Sequence, residues 1–336
     1  MLILLGEPQR KLALRPPRSR VFHNLSNETW ASVVRDGLPE SERSNGMIQL
    51  SQGLNTVTGL RAARLTLFRG YIDDSGDSRQ VFTLSCLMAK AENWQWIEMD
   101  WKDVISRKNN SLARQARRQI RRFHAVDLNN FAEDFEGWTP EERKEFSVDL
   151  LHVFEKPSNR VNGFSCSVEL QTLIRLIPEA GDDPIAFAND LLLKILMIEI
   201  GDDFREANGG NLAGLKVELI HDRGSYNGVL QNAFQNQLKE PTFRYSSLFT
   251  ALAPMGWEQC IPLQPADLLA SENFKETLRH VSQSDKDRKR DRRIPLKELL
   301  ESPSFGGFGE CLGEDAILEL RRLMDEKAGR SSESQA

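Results

Sequence analysis

The chain has few cysteines, no long apolar run and no excess of positive charge. Four cysteines stand among its 336 residues, and they are scattered with no CxxC spacing. This distribution excludes a disulfide framework and a CxxC-type zinc site and indicates reduced thiols, so we expect a cytoplasmic protein. Because no apolar run reaches the length of a membrane span, we also expect no membrane partner.

Charge and composition limit the function only coarsely. The formal net charge of −5 at pH 7 gives no overall attraction to nucleic acid, so any such binding must depend on local basic clusters. The sequence contains no internal repeat and no low-complexity block. Its 336 residues suffice for one large domain or two medium domains with a sizeable core.

An acidic hairpin is the most informative local pattern. Residues 64–72 alternate between apolar and polar types, as a strand with one buried face does, and residues 81–89 form a second strand-like run. Asp73 and Asp74 follow the first run and precede Ser-Gly, which is a turn signal. Carboxylates at a strand end are costly unless they are neutralised, and a divalent cation does this well. An acidic β-turn without a ligand explains the same residues.

Periodicity and composition divide the chain into three segments. The first lacks a sustained period and predicts a poorly packed N-terminal extension, residues 1–63. Strand and helix patterns fill the second, residues 64–281, with a helical insertion at 90–160 after the second strand. The third begins with a mixed-charge, strongly basic run and predicts a linker and a C-terminal tail with one short helix, residues 282–336.

Strands and helices alternate after the insertion. Further strands are predicted at 161–170, 215–220 and 257–263, and helices at 185–200, 225–239 and 264–281. The first of these helices is apolar on most faces and should be buried. The order resembles the ribonuclease H-like fold, in which three antiparallel strands precede two strands interleaved with helices. By this analogy we expect an α/β fold with a mixed five-stranded sheet flanked by helices.

A basic run ends the helix that is predicted from Trp94 to about Ile120. Three- and four-residue spacing would place four of its arginines on one helical face, namely Arg114, Arg117, Arg118 and Arg121. One interpretation is contact with the phosphates of a nucleic acid. The other is a solvated face whose charges pair with acids elsewhere in the chain.

Further acidic residues stand at the ends of regular elements. Asp222 follows the fourth strand directly after His221, and Asp267 lies near the start of the last predicted helix, where the helix dipole alone favours an acid. Two-metal phosphoryl chemistry needs several such carboxylates to converge. Asp190 and Glu199 lie inside the buried helix, where a carboxylate is either paired with a base or part of a site.

Five short motifs, in this order, resemble those of the domain-of-unknown-function 3800 family over roughly residues 65–280. They are YIDDSG at 71–76, FTLSC at 82–86, FHAVDL at 123–128, IHDR at 220–223 and LQPADLLA at 263–270. Membership would imply a ribonuclease H-like core and a nuclease that depends on Mg²⁺ or Mn²⁺. Residues 1–63 and 282–336 fall outside the resemblance.

The resemblance also implies roles for individual residues. It implies that Asp73, Asp222 and Asp267 hold the metal, with Asp74 as a fourth acid at a position where the family usually has Glu. The two motif histidines, His124 and His221, would move protons or hold a phosphate. The resemblance and the basic run together give the expected substrate-binding residues, which are Arg114, Arg117, Arg118, Arg121, Asp127 and Gln264.

Three functions remain open at this point. The first is a Mg²⁺- or Mn²⁺-dependent nuclease, and the second is an inactive module that binds nucleic acid or a partner protein on the same fold. The third is a hydrolase that acts on nucleotides with the same acids. Metal dependence separates the first from the second, because a binding module should bind equally well in chelator. The choice between DNA and RNA and the existence of a homo-oligomer also remain open.

Overall fold

The computed structural model of the protein describes residues 65–77, 79–282, 294–302 and 305–333. The predicted N-terminal extension, 1–63, and most of the basic run after residue 282 lie outside the described residues. The strands are β1 (Thr66–Gly76), β2 (Val81–Lys90), β3 (Val161–Glu169), β4 (Leu215–Asp222), β5 (Phe249–Met255) and β6 (Phe305–Leu312). The helices are α1 (Trp94–Arg114), α2 (Ala125–Asn130), α3 (Pro140–Leu151), α4 (Leu170–Leu176), α5 (Pro184–Ala207), α6 (Asn227–Lys239), α7 (Leu263–Ser282), α8 (Ile294–Glu301) and α9 (Glu314–Glu333).

A mixed sheet flanked by helices makes this an α/β protein. Its strand order is β5-β4-β1-β2-β3-β6. The pairs β1–β2 and β2–β3 are antiparallel, whereas β1–β4, β4–β5 and β3–β6 are parallel. Over the described residues, no helix is long and apolar enough to cross a membrane.

The sheet has a sixth strand, in contrast to the five that the sequence predicts. β6 lies in the segment expected to be a linker and tail, and it pairs with β3 along Val161–Val168. Its end residues Phe305 and Leu312 are buried. Without β6, the outer edge of β3 would leave backbone N–H and C=O groups unpaired, so the pairing is favourable. The second half of the tail is therefore part of the folded domain.

Each face of the sheet packs against its own helices. Phe68 and Ile72 of β1 share one apolar cluster with the buried residues of α5. Tyr71, which points to the opposite face, shares a second cluster with α1 and α7. Alternation along β1 therefore decides which helices each residue meets.

Helix α1 is shorter than its predicted extent, which changes the basic run. It ends at Arg114, and Ala116 adopts a left-handed φ of 53°. The Asn109 side chain binds the backbone of Ile120 twice, by accepting from its N–H at 2.7 Å and donating to its carbonyl at 2.8 Å. These bonds fold the chain back over the last turns of α1. The prediction that the four arginines share one helical face is therefore wrong.

The fifth strand also lies elsewhere than predicted. We expected it at 257–263, but β5 is Phe249–Met255. The predicted segment is a turn, in which the Cys260 N–H donates to the Trp257 carbonyl at 3.3 Å before α7 begins. The turn buries Cys260 and Leu263 against the core, which accounts for the apolar residues in this segment.

A half-buried carboxyl on α5 makes stability depend on pH. Burial raises the pKa of Asp203 from 3.8 to about 7, and the negative charge of Glu206 adds to the effect. Between these values the unfolded chain has lost a proton that the folded chain keeps. The free energy of unfolding therefore falls as pH rises through this window and stays low above it.

Asp203→Asn should remove this loss of stability. We expect the free energy of unfolding of the variant to exceed that of the wild type by about 2 kcal/mol at pH 8 and by less at pH 5. Urea unfolding at both pH values measures this, with Asp149→Asn on an exposed helix face as the control. An equal gain for Asp203→Asn at both pH values would contradict the shifted pKa.

Candidate functional site

Two aspartates lie side by side where the parallel pairing of β1 and β4 ends. The register of β1 and β4 pairs Ile72 with His221, so Asp73 and Asp222 occupy the next position on each strand. The strand order reverses here, because β2 and β3 extend the sheet on one side of β1 while β4 and β5 extend it on the other. Open α/β sheets bind ligands at the carboxyl ends of strands at such a reversal.

A third aspartate covers this edge from a helix. Alternation places Asp73 and Asp222 on the sheet face of Tyr71 and Ile220, which is the face packed against α7. Asp267 lies on α7 and is 8% exposed. The structure thus brings together three of the predicted acids, although they are far apart in sequence.

The electrostatics show that the carboxylates form one cluster. Burial raises the pKa of Asp73 well above its usual value, and the negative charges of Asp267, Asp74 and Asp222 raise it further. Loss of surrounding water raises the pKa of Asp74, and the Asp222 charge adds to this. Asp74 is exposed and, by alternation along β1, points to the sheet face of Ile72, whereas Asp73 is partly buried on the face of Tyr71.

Asp267 differs from the other acids in its surroundings. Burial raises its pKa to about 6, while the Ala125 N–H and then the positive charges of His124, Lys275 and Arg122 oppose that rise. It is the acid that lies closest to basic side chains. The cluster therefore has a negative side at the strand ends and a mixed side next to the FHAVDL motif.

Backbone N–H groups orient the three acids. Asp73 Oδ1 accepts from the next residue's N–H at 2.8 Å, and Asp222 Oδ1 does the same with Arg223 at 2.8 Å. Asp267 Oδ2 accepts from the Ala125 N–H at 2.7 Å. Within the described part of the chain, no Lys or Arg side chain forms an ion pair with any of these acids. Each acid keeps one carboxylate oxygen for another ligand.

The donor chemistry of the cluster fits a hard divalent cation. Mg²⁺ and Mn²⁺ prefer carboxylate oxygens, and a cation offsets the cost of placing acids close together. Across the described ranges, no three His, Cys, Asp or Glu side chains are close enough to form a complete metal site. Asp73, Asp222 and Asp267 therefore do not by themselves form a metal site among the described residues.

His124 and Asp127 lie beside the cluster. His124 Nδ1 and Asp127 Oδ2 are 2.8 Å apart, so the predicted spacing does bring the two side chains together. His124 immediately precedes Ala125, whose N–H binds Asp267. Asp127 also lies 3.7 Å from the Arg122 guanidinium. Asp127 therefore supports the two basic side chains at this side of the site.

His221 lies on the other face of the sheet. It is buried, and its Nδ1 donates to the Asp222 carbonyl at 2.9 Å. Burial lowers the pKa of the imidazole, so the neutral form predominates and Nε2 is an acceptor. Nε2 is buried and has no hydrogen-bond partner among the residues that the structure describes. Because alternation directs this ring away from Asp73 and Asp222, it does not face the carboxylates of the strand ends.

Gln264 connects three parts of the site region. Its Oε1 accepts from the Trp101 Nε1–H at 3.1 Å and from the Phe123 N–H at 3.1 Å. The side chain is buried. These bonds attach α1 and the FHAVDL motif to α7. The hydrogen bonds of Gln264 therefore hold the parts of the site region in position.

Three of the four predicted substrate-binding arginines are paired with acids. Arg117 pairs with Glu142, and both Arg118 and Arg121 pair with Asp134 at 3.0 and 3.1 Å. These three arginines therefore follow the second interpretation of the basic run, in which its charges pair with acids elsewhere in the chain. Arg114 is exposed, and its Nε donates to the Asn110 carbonyl of its own helix at 3.2 Å.

The two acids inside the buried helix do not lie with the others. Asp190 and Glu199 belong to α5, which packs on the sheet face opposite α7. Asp190 pairs with Lys194 at 2.5 Å. Asp190 is therefore paired with a base within its own helix, which is the first of the two interpretations given for a carboxylate in the buried helix.

The sequence analysis missed one basic residue of the site, Arg122. It lies one position before the FHAVDL motif and was not separated from the rest of the basic run. Its adjacency to that motif is the signal that distinguishes it.

Comparison with family models, with curated proteins and with solved structures finds no match to the chain. The assignment of the site therefore rests on its geometry and chemistry.

Proposed function

We propose that the protein is a Mg²⁺- or Mn²⁺-dependent nuclease with a ribonuclease H-like core. One observation carries the proposal: Asp73, Asp222 and Asp267 converge at the carboxyl ends of β1 and β4 without an ion pair in the described part of the chain. Several carboxylates at one place are the feature that metal-dependent phosphoryl chemistry requires.

The sheet supports the proposed core. Strands β1, β2 and β3 are antiparallel neighbours, and β4 and β5 follow on the other side of β1 with helices between them. This is the arrangement expected of a ribonuclease H-like fold, with β6 as an addition. The five motifs that resemble the domain-of-unknown-function 3800 family contribute the acids and the residues around them.

The chain's own side chains have separable tasks. Asp73, Asp222 and Asp267 would hold the cation, which when bound activates water and stabilises charge on the phosphate. Backbone N–H groups hold the three carboxylates in orientation. His124 is bound to Asp127 through Nδ1 and is partly exposed, so its Nε2 can exchange a proton with a substrate oxygen.

A second candidate is a binding module without turnover on the same fold. The incomplete donor set among the described residues favours it. Such a module would bind nucleic acid or a partner protein with the same affinity in chelator. An active nuclease requires the cation for cleavage, so one assay separates the two.

The test is cleavage of labelled single- and double-stranded DNA and RNA in Mg²⁺, Mn²⁺ and chelator. We expect cleavage of at least one substrate only when metal is present, and the substrate that is cut identifies the nucleic acid. Cleavage that persists in chelator contradicts the proposal. Binding without cleavage under all conditions favours the second candidate.

Metal should also stabilise the fold, independently of any activity. At 100 times its dissociation constant, a cation that binds only the folded state adds about 2.7 kcal/mol. Thermal unfolding in Mn²⁺ and in chelator measures this shift. Asp149→Asn, at an exposed position, should keep the full shift, whereas Asp222→Asn should lose most of it. An equal shift in Asp222→Asn and the wild type would place the cation elsewhere.

A further inference from the structure

Arg122 differs from the other arginines of the basic run in what it contacts. Its guanidinium carbon lies 4.4 Å from the centroid of the Trp257 ring. Its terminal nitrogen lies 3.7 Å from Asp127 Oδ2, which is beyond a direct hydrogen bond. Its side chain remains 32% exposed. Arg122 is thus held by an aromatic face and a nearby carboxylate while part of the guanidinium stays open to solvent.

Trp257 belongs to the same edge of the sheet as the acids. It follows β5 by two residues, and the last residue of that strand, Met255, accepts from the N–H of Arg223 at 3.0 Å. Arg223 directly follows Asp222, the acid that ends β4. The turn after β5 therefore brings Trp257 to the carboxyl ends of the parallel strands.

Arg122 is connected to the carboxylate cluster through the segment that follows it. Ala125, three residues later, donates its N–H to Asp267 Oδ2 at 2.7 Å, and Asp127 Oδ2 lies 3.7 Å from the Arg122 guanidinium. Arg117, Arg118 and Arg121 instead pair with Glu142 and Asp134. The contacts of Arg122 therefore lie in the segment that binds Asp267.

A guanidinium stacked on an aromatic ring is suited to phosphate. Stacking fixes the plane of the guanidinium and leaves its N–H edge free for two parallel hydrogen bonds to phosphate oxygens. A lysine at the same position would keep the charge but lose both the stacking and the bidentate geometry. Arg122 therefore has the chemistry of a phosphate-binding residue next to the acids.

We propose that Arg122, positioned by Trp257 and Asp127, binds a backbone phosphate of the nucleic acid next to the phosphate at the carboxylates. This inference rests on the proposed nuclease function and adds a substrate contact to it. The ligand is a phosphodiester strand. Trp257 acts through Arg122 and is a positioning residue.

Binding of a fluorescent single-stranded oligonucleotide, with Ca²⁺ replacing Mg²⁺ to limit cleavage, tests the proposal. We expect Arg122→Ala to raise Kd at least about tenfold and to reduce the slope of log K against log salt by about 0.7, which is the loss of one phosphate contact. Arg122→Lys should keep the wild-type slope and raise Kd about threefold to tenfold. Trp257→Leu should resemble Arg122→Lys, because the charge remains while its orientation is lost.

Arg175→Ala is the matched control, because it removes the same charge from an exposed arginine that pairs with Glu314 and lies on α4, which packs on the sheet face opposite α7. Its Kd should stay within about twofold of the wild type. Thermal midpoints within about 2 °C of the wild type show that a variant is folded. A purely structural role for Arg122 would lower the midpoint and leave the salt slope unchanged, which would overturn the inference.

The two proposals fail in different ways. If the wild type cleaves in metal while Arg122→Ala binds and cleaves like Arg175→Ala, the inference is overturned and the nuclease function stands. If the wild type neither binds nor cleaves any of the nucleic acids, both are overturned. Loss of binding in Arg122→Ala with partial recovery in Arg122→Lys supports the inference.

Discussion

Asp73→Asn is expected to reduce metal-dependent cleavage by about 100- to 1,000-fold or more while the protein stays folded. The substitution removes the carboxylate charge that the proposal assigns to the metal but keeps an oxygen that can accept from the Asp74 N–H. It also removes repulsion, because burial and the charges of Asp267, Asp74 and Asp222 make an ionised Asp73 unfavourable. Without metal at pH 8, the variant should therefore be at least as resistant to urea as the wild type.

Parallel measurements of cleavage rate and urea unfolding check both parts of this result. Asp149→Asn changes the same charge at an exposed position of α3 and should leave both quantities unchanged. Full activity in Asp73→Asn would reject the carboxylate site. Lost activity together with a large loss of stability would show that Asp73 is structural and would remove the main support for the nuclease.

Gly201→Val is expected to destabilise the fold by about 3 kcal/mol or more. Gly201 lies within α5, and a Cβ atom there would overlap the ring of Tyr245, which is 1% exposed. Tyr245 cannot move away easily, because its ring packs edge-to-face on Phe243 with the centroids 5.9 Å apart. Even Gly201→Ala should lower stability, although alanine stabilises an isolated helix by about 1 kcal/mol relative to glycine.

Gly228→Ala provides a matched control in α6. No atom lies within 4 Å of a Cβ built at Gly228, so helix propensity should dominate and stability should rise by about 0.5–1 kcal/mol. Urea unfolding of both alanine variants measures the difference in sign. If Gly201→Ala were as stabilising as Gly228→Ala, the packing of Tyr245 against α5 would be incorrect.

Elements that depend on nearby residues were predictable from the sequence. The alternation of 64–72 and 81–89 predicted the β1–β2 hairpin, and these strands do pair in antiparallel fashion. The start of α3 also depends on local residues, because Thr139 and Pro140 supply an N-cap and a first-turn proline. The bonds that define such features join residues a few positions apart, so a single sequence contains the information.

Boundaries that depend on distant contacts were predicted wrongly. The buried helix was expected to end at about residue 200, yet α5 continues to Ala207. Gly201 is a site of close packing against Tyr245, and that contact joins residues far apart in sequence. Likewise, β6 is stabilised by pairing with β3, which lies more than a hundred residues earlier in the chain. No local sequence pattern predicts this pairing.

For the site, the sequence by itself determined which residues are acidic and that Asp222 lies at the end of a strand. Asp73 was predicted to follow its strand, but β1 continues to Gly76. Only the tertiary structure decided that these strands are parallel neighbours and that Asp267 faces the same side of the sheet. It also decided that His221 faces the other side and that Arg122, instead of the paired arginines before it, lies near the acids. The physical reason is that strand ends are set by local backbone preferences, whereas the neutralisation of a charge depends on whichever partner the fold brings to it.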